Sequence, residues 1–287
     1  MCKLFGFRSV INSQVHSSLV HADNALGPMS LEHPDGWGVA YYIDGTPHLL
    51  RSTERAFDDQ IFHKVSGVVS SQTVLAHIRK ATNGNINILN SHPFQYGNWV
   101  FAHNGNLKNF SSYQEQLKKE VDGSLQKFIL GNTDSEIIFY ILLGNIKKKH
   151  SLKNRFVPIE TLSQAIEETC KTIIKYSGPL YSGDDNNPKE NHITFILTSG
   201  ENIFAFNGGQ SLNFSTHKST CPERESCSHY SKICESFANL GDRVNHLLFA
   251  SEKLNGENVW TSINKGQLIG VDKDMVLKKI DLNVSFT

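Results

Sequence analysis

Along the first hundred residues short apolar runs alternate with turn residues, a rhythm that predicts strands. Cys2 to Val10 reads as an opening strand, and Trp37 to Ile43 passes through Asp44-Gly45 into His48 to Arg51, the composition of a two-residue hairpin. Val74 to Ile78 and Trp99 to Ala102 are two further apolar strands. Each runs straight into a polar, glycine-containing cluster, where a rigid scaffold commonly carries its site. The period then changes. Thr133-Asp134-Ser135-Glu136 has the form of a capping box before the apolar run Ile137 to Leu143, so a helix is predicted to start there and to stop at Lys147-Lys148-Lys149. A second helix is predicted from about Ile159 to Tyr176, with Ile159, Leu162, Ile166, Cys170 and Ile173 at helical spacing. Beyond it strands return: His192 to Thr198 and Ile203 to Asn207 flank Ser199-Gly200-Glu201-Asn202 as a hairpin, followed by Leu247 to Ser251 and Gln267 to Val271. Ser182 to Asn191 and Ser215 to Lys232 read as surface excursions. Strands, then helices, then strands, with no repeat and no long linker, predict an α+β fold in a single domain over 1–287 and argue against a doubly wound parallel sheet.

Composition narrows the function classes. Lys plus Arg and Asp plus Glu both number 28, so no net field favours nucleic acid or an anionic membrane, and a small molecule or a protein is the expected partner. The longest apolar run, Ile137 to Leu143, falls far short of the roughly 20 residues of a membrane span. Lys3 and Arg8 are followed by no apolar h-region, so a secretory leader is not expected and the chain reads as cytoplasmic. Five cysteines, an odd count, fit reduced thiols rather than a disulfide framework.

Cys2 stands out by position. A cysteine near a terminus is often a small buried hydrophobe. Here, however, removal of Met1 would give Cys2 a free α-amine with a pKa of about 8, so that one residue supplies nucleophile and base. A thiolate attacking an amide carbonyl makes an oxyanion, and His103-Asn104-Gly105-Asn106 after Trp99 to Ala102 offers a side-chain amide and a glycine N–H in adjacent positions. Asn-Gly is also a common tight turn, and both readings stay open. Arg79 opens the polar loop Lys80-Ala81-Thr82-Asn83-Gly84, where a planar guanidinium suits a substrate carboxylate. Asp134, in the first turn of its predicted helix, either complements the dipole or pairs with an ammonium. His217, Cys221, Cys227, His229 and Cys234 have ligand chemistry that suits zinc, but their spacing fits no paired template, and no metal is expected there.

In combination and order these segments resemble class II glutamine amidotransferases. The segments are Met1-Cys2 with Gly6, His33-Pro34-Asp35-Gly36-Trp37-Gly38, Ala76-His77-Ile78-Arg79-Lys80-Ala81-Thr82, Ser91-His92-Pro93-Phe94, Ala102-His103-Asn104-Gly105 and Thr133-Asp134-Ser135-Glu136. Trp37 in that setting is similar to the stand-alone branch, the YafJ-type proteins and the ergothioneine-pathway amidohydrolase. The resemblance implies a four-layer αββα sandwich of two antiparallel sheets, the N-terminal-nucleophile hydrolase type. It also implies Cys2 as nucleophile, Asn104 and Gly105 as oxyanion hole, Arg79 and Thr82 as the site of the substrate α-carboxylate and Asp134 as the partner of its α-ammonium. No cofactor is implied. The expected activity is cleavage of a γ-glutamyl amide through a γ-glutamyl thioester. Two alternatives are a glutaminase subunit feeding ammonia to a separate synthetase partner and an inactive domain kept for protein binding. Lys80 and Asn83 stand where synthetase-linked members often carry Trp and His, so the loop after Arg79 is expected to differ from theirs.

Overall fold

The computed structural model describes residues 2–14, 17–22, 24–183, 187 and 189–287. Met1, His16 and part of the excursion expected over 182–191 lie outside the described residues. The strands are β1 (Lys3–Gln14), β2 (Trp37–Ile43), β3 (Thr46–Ser52), β4 (Ser70–Ile78), β5 (Phe94–Tyr96), β6 (Trp99–Asn106), β7 (His192–Thr198), β8 (Ile203–Phe206), β9 (Asn213–Ser215), β10 (His246–Ala250), β11 (Thr261–Ser262), β12 (Gln267–Val271) and β13 (Leu277–Asp281). The helices are α1 (Leu26–Met29), α2 (Gln60–Val68), α3 (Gln114–Lys119), α4 (Gly123–Gln126), α5 (Asp134–Lys147) and α6 (Ile159–Ser177).

Two antiparallel sheets result, one in the order β11-β9-β10-β1-β4-β2-β3 and the other β13-β12-β8-β7-β6-β5. Alternation along β1 sorts its residues between two cores. Leu4 faces the second sheet among Val100, Ala102 and Ile196, while Phe5 and Phe7 face outward to Leu26 of α1 and Phe62 of α2. The outer face of the second sheet, Phe101, Phe195 and Phe206, packs on Ile138, Leu142 and Ile166 of α5 and α6. Helix, sheet, sheet and helix therefore form the expected four layers. Gly6 lets the sheets close, since a Cβ there would lie 3.1 Å from Ile196 and Ile203.

The predicted hairpins and both long helices are present. Asp44 (φ 48°) and Gly45 (φ 73°) make the β2–β3 turn with left-handed residues, as a two-residue loop requires. Three expectations need correction. β1 runs past Val10 to Gln14, irregular between Arg8 and Ser13. β6 continues through His103-Asn104-Gly105-Asn106, which pair with Phe195 to His192 of β7, so this segment is neither a turn nor a loop after the strand. The capping box is half made: Thr133 accepts from the Glu136 N–H at 3.2 Å, but the Glu136 carboxylate turns away to Leu130 and Gly131 N–H at 2.9 and 2.7 Å.

Candidate active site

β1 and β4 pair with Lys3 opposite Ile78, so the residue before one strand meets those after the other. Cys2 Sγ accepts the Lys80 N–H at 3.3 Å and lies 3.3 Å from the Lys80 carbonyl. Burial pushes its thiol pKa up, against the opposing pull of the Lys80 hydrogen bond and the Arg79 charge. A thiol held in this way needs a base when it reacts.

Arg79 is buried and fixed through its main chain: its N–H donates to Gly36 O at 2.8 Å, and its carbonyl accepts from Asp35 N–H at 3.2 Å. Asp35 in turn accepts the Ala81 N–H at 2.8 Å. The glycines of Asp35-Gly36-Trp37-Gly38 have a reason in this contact. Gly36 has φ 119°, and a Cβ on Gly38 would lie 2.0 Å from the His92 carbonyl. The Arg79 guanidinium donates to Asn83 O and Asn85 O at 3.3 and 3.2 Å, holding the loop from within. Asn83 extends the connection, donating through Nδ2 to Asp134 Oδ2 at 2.8 Å and Asn106 Oδ1 at 2.9 Å. Asp134 is buried and also accepts from Leu107 N–H at 2.9 Å and Ser135 N–H at 2.8 Å.

Asn104 is buried on β6 with Oδ1 lacking a partner among the described residues. Beside it only glycine fits at position 105, where a Cβ would come 2.1 Å from His192 O and 2.2 Å from His103 Nε2. Three buried imidazoles lie on or beside these strands. His77 and His92 lie 4.1 Å apart between centroids with their rings tilted by 33°, and His103 is 6.5 Å from His92. Burial, then the Arg79 charge, pulls the His77 pKa down to about 3, and burial lowers His92 and His103 too. His103 contacts Ser135 Oγ at 2.8 Å and His192 O at 3.1 Å.

Cys2, Arg79, Asn104, Gly105 and Asp134 thus gather at one end of the sandwich, and Thr82 is exposed in the loop that Arg79 anchors. Sequence reasoning assigned nothing to Asp35, Asn106 or Ser135, and it named Asn83 only as a departure from relatives. Cys227, His229 and Cys234 line a separate cavity of ≈380 Å³ with His246 and Cys221. Among the described residues no three His, Cys, Asp or Glu side chains are arranged to hold a metal, and no helix is long and apolar enough to cross a membrane.

The fold, a two-sheet αββα sandwich with a thiol, a guanidinium and a carboxylate at one end, is the architecture of the N-terminal-nucleophile hydrolases. Residues 1–284 match the family model for glutamine amidotransferases class-II, and the chain belongs to that family. A Haemophilus influenzae protein named as a glutamine amidotransferase is 30% identical over 275 residues, covering 94% of this chain and 83% of that one. The gamma-glutamyl-hercynylcysteine sulfoxide hydrolase of Mycobacterium tuberculosis is 38% identical over 76 residues, 26% of this chain and 33% of that one. A glutamine aminotransferase class-II domain protein from Silicibacter pomeroyi has the same fold, with TM-score 0.61 at 17% identity over 98% of this chain and 99% of that one.

Proposed function

We propose that the chain hydrolyses a γ-glutamyl amide with Cys2 as nucleophile. The observation that carries this is Cys2 Sγ held 3.3 Å from the Lys80 main chain, next in sequence to the buried Arg79. With Met1 removed, the α-amine takes the thiol proton and the thiolate attacks the γ-carbonyl. The oxyanion is met by the Asn104 side-chain amide and the Gly105 N–H. The C–N bond then breaks, and the leaving amine takes the proton back from the α-ammonium of Cys2. Water, deprotonated by the same amine, hydrolyses the thioester and frees glutamate. Arg79 and Thr82 take the substrate α-carboxylate, and Asp134 takes the α-ammonium in exchange for the Asn83 amide. The reading treats 1–287 as one cytoplasmic domain. Both sheets draw strands from each side of the long helices, and all five cysteines are free thiols, which supports it.

We further propose that the preferred substrate has a substituted nitrogen, as in a γ-glutamyl peptide. These residues fix only the glutamyl half, and the loop from Lys80 to Gly84 lacks the Trp and His of synthetase-linked relatives. Protein expressed in cells should show loss of Met1 by intact mass, and a glutamine-like electrophile should add once, at Cys2. Cys170, whose burial pushes its pKa up to about 12, should stay unlabelled. Cys2→Ala should abolish turnover with little change in thermal stability. Values of kcat/KM for glutamine, glutathione and γ-glutamyl dipeptides then measure the preference. Faster turnover of glutamine than of every peptide, or activity only with a synthetase, would favour an ammonia-donating subunit. Retained Met1 with no labelling would favour a binding domain.

A further inference from the structure

β1 carries a second cationic side chain at the opposite end of the sandwich from Cys2. Arg8 is six positions further on, roughly 20 Å at ~3.3 Å per residue. It is 7% exposed, and its Nη1 donates to Thr73 Oγ1 and to Gly200 O, both at 2.9 Å. Its Nε is buried with no partner, and among the described residues no carboxylate lies within ion-pair distance of it. Both oxygens that Arg8 does contact are uncharged. A buried cation that Glu201 serves only from a distance, without an ion pair, is left under-compensated, and an anion from solution can offset that.

Arg8 lines a cavity of ≈430 Å³, within the size range of small-molecule sites. Arg155 lines it too, 35% exposed and only loosely paired with Glu201 at 3.8 Å. The same wall includes Asp44 and Glu201. Two guanidiniums and two carboxylates therefore face one space. A phosphate would gain from the first pair and be repelled by the second, whereas a zwitterion meets both signs favourably. We propose that this cavity binds a free α-amino acid, its carboxylate on Arg8 and Arg155 and its ammonium toward Glu201 and Asp44.

Isothermal titration of the full chain with L-alanine and L-leucine tests this, with acetate and inorganic phosphate as probes that carry only negative charge. The expected result is one site for at least one of the amino acids, weakened at least tenfold by Arg155→Gln and by Glu201→Gln. That affinity should survive Asp134→Ala, which distinguishes this cavity from the site around Cys2, and the anions should bind at least tenfold more weakly. No binding of either amino acid, or binding indifferent to both Arg155→Gln and Glu201→Gln, would overturn the proposal. So would phosphate binding as tight as the amino acids and tightened by Glu201→Gln, since the cavity would then be a plain anion site.

Discussion

Asp134 is asked to do two things at once. Its carboxylate organises the chain around it, accepting from Leu107 and Ser135 N–H, and it also receives the Asn83 amide. If a substrate ammonium takes the place of Asn83, the two substitutions separate these duties. Asp134→Ala should raise KM by the equivalent of about 2–5 kcal/mol. It should also lower stability by about 1–3 kcal/mol, since the buried Leu107 N–H loses its acceptor. Asn83→Ala should lower KM severalfold, because it removes a competitor, with a stability loss of about 0.5–1.5 kcal/mol for the Asn106 Oδ1 hydrogen bond it also deletes. Steady-state kinetics and urea midpoints on both proteins check this, and a rise in KM with Asn83→Ala would show that Asn83 supports the substrate instead. The side chains proposed to carry the chemistry, Cys2, Arg79, Asn104 and Asp134, stand out in the sequence because each sits in a short motif. Asp35 with Ala81 and Asn83 with Asp134 were not, because those partners are 46 and 51 positions apart and only the fold brings them together.

At the scale of elements, period identified the long helices and most strands, and it failed where polar residues lie inside a sheet. His103-Asn104-Gly105-Asn106 looked like the end of a strand because it has no apolar alternation. It stays in the ladder because β7 pairs with it and the close approach of His192 O leaves room for glycine. Short elements such as β9, β11 and α4 offer too few residues for a pattern. The start of α5 was legible in Thr133, but the partners of Glu136 were not. Thr133→Ala should cost about 1 kcal/mol, the usual loss of an N-cap. Glu136→Ala should cost more, about 1–3 kcal/mol for each of the two N–H groups it leaves unpaired. Chemical denaturation of the two variants compares them directly, and a larger loss for Thr133→Ala would contradict the assigned roles.

For the molecule as a whole, the buried imidazoles predict how stability responds to acid. A histidine whose folded pKa is depressed binds its proton more weakly folded than unfolded. Its contribution is therefore fully present above the ordinary 6.5 and declines as pH falls toward the folded value, about 3 for His77 and about 4 for His246. His92 and His103 act in the same direction. Each such group adds a slope of up to ~1.4 kcal/mol per pH unit below 6.5. The urea midpoint should fall clearly between pH 7.5 and pH 5, and an unchanged midpoint would mean that these rings accept protons without opening the fold. The sheet order also has a consequence for synthesis. β1 is held on one side by β4 and on the other by β10, which lies more than two hundred residues later in the chain. Until that late segment leaves the ribosome, the apolar strand next to Cys2 presents a row of bare backbone donors and acceptors to its surroundings. The nascent chain therefore depends on its own last quarter, or on a chaperone meanwhile, to keep neighbouring polypeptides from adding to that edge.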